Sequence, residues 1–215
     1  MPRSKARKPS APVQPFIPDP PEPELGDDLF SRKFKHWREW HTAVGFLTNL
    51  HTGMDEAQVF CNPQDPPDVL YQGAAFEIKE IMDEGRRRHD EVKQARKNAL
   101  QHKDQANFTQ ASVIDLLPED AGRLVVAQLE GMAGRYHASV KSRMDLLFYV
   151  NKLEHWFDDG PMPSANLFEP YGWRSVSALI ASGVSIVFYA NASAPRFLQD
   201  NLGKVRRRYE SFAIE

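Results

Sequence analysis

The sequence predicts a mixed α/β fold in which a mixed β-sheet is flanked by helices. Three observations predict it. Residues 68–82 read as a hairpin about a Gln72-Gly73 turn. "MDLLFYV" (144–150) and the run Val184 to Tyr189 are short and apolar, as buried strands are. The stretches between and around them carry helical spacing. The resulting order is α, β, β, β, α, α, β, α, β, α, which suits a sheet covered by helices.

Taken in order, the chain opens on a proline-rich stretch. Half of its 16 prolines fall within the first 23 residues, and that stretch holds too few apolar side chains to pack a core. Residues 1–27 are therefore expected to be a disordered tail, and 28–215 a single domain. A helix is expected from Leu29 to Leu50, with Phe30, Phe34, Trp37, Val44 and Leu47 on one stripe and Asp28 as its N-cap. His41 falls on that stripe and should be a hydrogen-bonded core histidine. A short strand should cover Ala57 to Cys61, followed by the hairpin. Glu84 to Ala106 is charged and free of proline, so it should form a helix with only a thin apolar seam at Val92, Ala95 and Ala99. Another helix should run from Glu119 to Val140, with acids in its first turn where the helix dipole favours them. "YGWRSVSALIASG" is expected to form a helix stopped at Gly183, and Ala194 to Ser211 a last helix carrying Arg206, Arg207 and Arg208.

Composition narrows the function. The net charge of -2 gives no global cationic field, so nucleic-acid binding would rest on local patches. The single cysteine, Cys61, allows neither an internal disulfide nor a thiolate metal site. No apolar run is long enough for a membrane span, and the basic, proline-broken N-terminus lacks the apolar segment of a secretory signal. A cytoplasmic protein with no membrane partner is the expectation. The seven histidines show no HExxH spacing, and no phosphate-binding glycine loop of the ATPase kind is present.

The hairpin carries the chemistry. A two-residue turn at Gln72-Gly73 pairs Tyr71 with Ala74, Leu70 with Ala75, Val69 with Phe76, and Asp68 with Glu77. Asp68 and Glu77 then lie about 5 Å apart at Cβ, and Lys79 shares their face. Val69, Phe76 and Ile78 point to the other face. Two carboxylates at that spacing repel by roughly 3 kcal/mol at an effective dielectric near 20. Lys79, protonation of one acid, or a divalent cation can offset this. Mg²⁺ takes one or two carboxylates plus water and substrate phosphate oxygens. The alternative is an ordinary hairpin with charges on a solvated face. A bare Asp followed by Glu-x-Lys arises by chance about once in a chain of this length. Here two prolines fix how the chain enters the strand, and Ile78 between Glu77 and Lys79 is apolar.

Pro67-Asp68 followed by Glu77-Ile78-Lys79 resembles the PD-(D/E)xK nuclease signature. The surrounding order resembles that superfamily's restriction-endonuclease-like α-β-β-β-α-β core with additional helices. "PPDVLYQGAAFEIKEIMDEGRRRHDE" also resembles an uncharacterised bacterial family described as putative endonucleases. The resemblance implies a metal-dependent endonuclease acting on DNA, or on RNA. Asp68 and Glu77 would bind Mg²⁺ or Mn²⁺, the Ile78 backbone carbonyl would add an oxygen, and Lys79 would position or activate the attacking water. It implies a further acid on the first helix, for which Glu39 is the candidate. Glu39 lies nine residues from Phe30, close to 180° from the apolar stripe, so it should face solvent. Asp55 or Glu56 is then the substitute. A homodimer that cuts both strands is compatible with the resemblance.

Arg86, Arg87 and Arg88 follow the motif directly and are candidate phosphate contacts, because a guanidinium can hold two oxygens. Nearby acids and a solvated helix face are the competing account. Arg206, Arg207 and Arg208, beside Tyr209 and Phe212, can be read in the same two ways. A second reading of the whole chain is a non-catalytic nucleic-acid-binding or scaffold protein on the same fold. It rests on the near-neutral charge and the outward position expected for Glu39.

Overall fold

The structure is a computed structural model and describes residues 14–21, 31–50, 53–83, 114–152 and 155–208. A seven-stranded mixed sheet with helices packed against it forms the frame. Its strands are β1 (Phe60–Cys61), β2 (Val69–Tyr71), β3 (Ala74–Met82), β5 (Asp145–Asn151), β7 (Ser175–Ile180), β8 (Val184–Ala190) and β9 (Val205–Arg207). They lie in the order β1-β2-β3-β5-β7-β8-β9, with β3, β5 and β7 parallel and the outer pairs antiparallel. A separate parallel pair joins β4 (Ile114–Leu116) and β6 (His155–Phe157).

The hairpin forms in the expected register, with Val69 opposite Phe76, Leu70 opposite Ala75 and Tyr71 opposite Ala74. Gln72 (φ 41°) and Gly73 (φ 80°) both take left-handed backbone, as a tight turn matched to strand twist requires. The hairpin is not a free-standing unit, however. β3 runs on to Met82 and pairs with β5 along its other edge, so it is an interior strand.

Two layers cover the sheet. On one face, helix α1 (Lys35–Asn49) presents Ala43, Val44, Phe46 and Leu47 to Val69, Phe76, Leu147 and Leu179. Gly45 permits this approach, since a Cβ there would meet Leu179 Cδ2 at 3.3 Å. On the other face, helix α2 (Pro118–Gly131) places Ala121, Val125 and Leu129 against Leu146, Phe148, Val176 and Ile186. Successive residues of β5 thus alternate between two cores.

Several expected elements differ. The helix expected over 171–182 is strand β7, with all six residues buried. A strand paired on both sides and covered on both faces buries both parities, so in β7 Ser175 and Ser177 are buried alongside Val176, Ala178, Leu179 and Ile180 and polarity does not mark a wet face. The Gly183 stop is part of a hairpin turn in which Ala181 and Ser182 carry positive φ. The helix expected over 194–211 is replaced by helix α4 (Arg196–Gln199), a turn with Gly203 at φ 68°, and strand β9. The helix expected over 119–140 ends at Gly131, and a separate turn of helix, α3 (Ala138–Lys141), follows. α1 begins at Lys35 rather than Leu29, after a 3-10 turn at Arg32–Phe34. The strand expected at 57–61 shortens to β1 behind another 3-10 turn.

His41 is exposed and stacks on Trp37 at 5.0 Å, instead of lying in the core. Within the stretch expected to be a tail, Phe16 exchanges backbone hydrogen bonds with Cys61. Asp28 and the expected helix over 84–106, with Arg86, Arg87, Arg88 and His89, lie outside the described residues, as do Tyr209 and Phe212. No helix among the described residues is long and apolar enough to cross a membrane.

Candidate metal centre

Asp68 stands just before β2. Its backbone N–H donates to the Phe76 carbonyl at 2.8 Å, and its own carbonyl accepts from Asn62 N–H. Its side chain also enters the sheet's hydrogen bonding: Oδ2 accepts the Ile78 N–H at 2.8 Å. That bond fixes the carboxylate beside β3. It also sends the Ile78 carbonyl toward the same edge, because N–H and C=O of one strand residue point the same way.

Glu77, one residue earlier on β3, faces the α2 side of the sheet. Its Oε1 accepts the Tyr136 hydroxyl at 2.6 Å and pairs with the Lys79 ammonium. Its Oε2 is buried and has no hydrogen-bond partner among the described residues. Asp68 and Glu77 are 2% and 1% exposed. The solvated hairpin face is thereby excluded. The carboxylates are buried because β5 and the Tyr136 segment cover what an isolated hairpin would leave wet.

The structure brings Asp68, Glu77 and Lys79 together as expected and adds residues that local spacing does not reveal. A carboxylate oxygen from each of Asp65, Asp68 and Glu77 lies within 4.8 Å of the others. Glu39 joins from α1. Its side chain is only 12% exposed, so its expected outward position is corrected. The helix frame explains the error: Phe30 precedes α1, whereas Glu39 shares a face with the buried Ala43 and Phe46, four and seven residues on. Asp55 does not substitute for it; its Oδ1 caps the 3-10 turn through Ala57 N–H at 3.0 Å. Glu56 is exposed. Lys35, one helical turn before Glu39, sets its Nζ 3.0 Å from Asp65, 3.1 Å from Asp68 and 3.2 Å from Glu39.

Electrostatics follow from burial. Desolvation, reinforced by the Asp68 charge, pushes the Glu39 carboxyl from 4.5 up to about 8. The same two causes raise Glu77, against the opposing pull of Lys79 and Tyr136. Burial works against the Lys79 ammonium, but the Glu77 hydrogen bond and charge outweigh it and hold Lys79 above its ordinary value. Lys79 is therefore a cation at neutral pH. Burial, with Glu39 and Asp68 adding to it, pushes the Cys61 thiol up to about 12, so no thiolate nucleophile exists here.

A groove of about 880 Å³ runs along α1 and is lined by Lys35, Trp37, Glu39, Ile78 and Tyr149. The acid cluster and this groove meet at Lys35, Glu39 and Ile78. An all-carboxylate donor set with one orphaned buried oxygen is hard-cation chemistry, and these residues fit a hard divalent cation.

A family model described as "Putative endonuclease, protein of unknown function (DUF1780)" matches residues 23–211. The chain belongs to this family. Among solved structures, the chain is similar to a protein of unknown function from Pseudomonas aeruginosa strain PAO1, described as of the monooxygenase superfamily. The two share 24% identity at a TM-score of 0.62, over 86% of this chain and 88% of that one, which shows a common fold. No curated protein matches. Asp65, Asp68, Glu77 and Lys79 all lie inside the span that the DUF1780 model matches.

The second basic run meets partners within the chain. Arg206 donates to Asn201 at 2.8 Å, and Arg207 pairs with Asp159 at 2.7 Å while lying over Phe157. Lys35, Asp65 and Tyr136 are the site residues that sequence reasoning missed. Asp65, in "DPPD", and Lys35, four before Glu39, carry local signals; Tyr136, 59 residues from Glu77, carries none.

Proposed function

We propose that this DUF1780 member is a metal-dependent nuclease of the PD-(D/E)xK type, hydrolysing phosphodiester bonds in DNA or RNA. The observation that carries the reading is the Glu77 Oε2 atom, buried and without a hydrogen-bond partner among the described residues, beside Asp68. Leaving such an atom unsatisfied costs about 1–3 kcal/mol or more for a charged group, so it is a place prepared for a ligand. Family membership supports the same class of chemistry.

Asp68, Glu77 and Asp65 would hold the ion, with the Ile78 carbonyl directed to the same edge. When bound, Mg²⁺ or Mn²⁺ polarises the phosphoryl oxygen and lowers the pKa of its water. The Ile78 N–H orients Asp68, joined by Lys35 in the ion-free site. Tyr136 fixes Glu77 Oε1, leaving Oε2 as the open donor. Lys79, protonated at neutral pH, acts as a hydrogen-bond donor and fixed charge toward the water and the developing phosphorane oxygens, rather than as a general base. Glu39, raised to about 8, is the group suited to exchange a proton near neutral pH.

The test is cleavage of plasmid, single-stranded and RNA substrates with Mg²⁺ or Mn²⁺. Asp68→Asn and Lys79→Met are each expected to lower the rate at least about 100-fold with circular dichroism unchanged. Failure to cleave any substrate, or normal cleavage by both variants, defeats the proposal.

One observation favours a non-catalytic scaffold on the same fold: Lys35 and Lys79 already pair the carboxylates without a metal. The inward position of Glu39 removes one of that reading's supports. Mn²⁺ calorimetry separates the two, since the scaffold has no site that Glu77→Gln abolishes.

A further inference from the structure

Three carboxylates converge on one ammonium. Lys35 Nζ lies 3.0 Å from Asp65 Oδ2, 3.1 Å from Asp68 Oδ1 and 3.2 Å from Glu39 Oε1. Two of those acids, Asp65 and Asp68, also belong to the triad with Glu77. The other Asp68 oxygen is committed to the Ile78 N–H. Oδ2 keeps one lone pair beside the Ile78 N–H, and a divalent cation that uses Oδ1 must share, or take over, the oxygen that Lys35 holds.

We propose that Lys35 is a built-in counter-cation of the carboxylate cluster, which a divalent ion displaces when it binds Asp65 and Asp68. This inference rests on the metal-centre reading. The physical argument is charge crowding. Mg²⁺ sits about 2.1 Å from its oxygen ligands, and an ammonium hydrogen-bonded to the same oxygen would then lie only a few ångströms from a double positive charge. The carboxylates cannot fully satisfy both. Lys35 has somewhere to go. Its side chain is 40% exposed, sits in the first turn of α1, and lines the groove beside Arg32 and Arg38. The same arrangement lets the cluster form during folding before any metal is present.

Mn²⁺ titration calorimetry on the full chain, comparing wild type, Lys35→Met and Lys35→Arg, tests the inference. Lys35→Met is expected to bind about tenfold or more tightly, and Lys35→Arg no more tightly than wild type. Equal or weaker binding by a folded Lys35→Met overturns the Lys35 inference and leaves the metal centre standing. Absence of any Mn²⁺ binding in all three overturns the metal centre and this inference together. A second measurement needs no variant. Acetylation of Lys35 by an amine-reactive reagent, read by peptide mass spectrometry on wild-type protein, should rise several-fold on adding Mg²⁺. Labelling that stays level or falls while calorimetry registers binding overturns the displacement.

Discussion

Glu77 uses its two oxygens differently. Oε1 is held by Tyr136 and Lys79, while Oε2 has no partner among the described residues. Glu39 extends the same tension to α1, where burial and the Asp68 charge lift its carboxyl to about 8. The folded protein therefore binds a proton at Glu39 that the unfolded chain releases above 4.5. That stabilising contribution is complete below pH 4.5 and is lost as pH rises through about 8. In metal-free protein, Glu39→Gln should remove this loss. Its Tm should exceed that of wild type by roughly 5 °C at pH 8 and converge with it near pH 5. Melting curves across pH check this, and parallel curves for the two proteins would count against it. The closeness of Asp68, Glu77 and Lys79 was expected from strand parity, which is local, but the ladder ends at Val69 and Phe76 and Asp68 reaches β3 through the Ile78 N–H. Lys35, Asp65 and Tyr136 were not assigned, because their roles arise from contacts across 30 to 59 residues.

Between elements, one buried carboxylate ties three strands. Asp145 opens β5, accepts the β3 Ala75 N–H at 2.9 Å and the β7 Ser175 hydroxyl at 2.8 Å, and pairs with Arg174. Asp145 is fully buried. Arg174→Met should cost about 3–5 kcal/mol by leaving that charge unpaired, and adding Asp145→Asn should recover part of it; urea denaturation checks both. Helix α2 is held by a different constraint. A Cβ on Gly122 would meet Pro163 Cγ at 2.7 Å. Proline is a rigid ring, so Gly122→Ala should destabilise by about 1–2 kcal/mol despite alanine's better helix propensity. A gain in Tm would refute that. β7 shows why element type was partly illegible. "SVSALI" lies between two strands and two cores, so its serines are buried with its apolar residues, and the run Ala178-Leu179-Ile180 is apolar at both parities, as in a buried helix.

At the scale of the molecule, the sheet rests on two hydrophobic cores, one on each face, that do not depend on an ion. Lys35 and Lys79 already offset the carboxylates. Chelation should accordingly leave the protein folded, with Tm changed by only a few degrees, while saturating Mn²⁺ raises it by mass action. Differential scanning calorimetry with EDTA and with Mn²⁺ checks this, and unfolding in EDTA would contradict it. The mixed α/β class and the hairpin register from Val69–Phe76 to Tyr71–Ala74 were readable from short-range periodicity and turn chemistry alone. That β3 is an interior strand, that Glu39 turns inward, that Lys35 sits among three acids and that 175–180 is a strand emerged only from tertiary contacts. Each of these depends on which distant surface covers a residue, and burial by a distant partner leaves no local period in the chain.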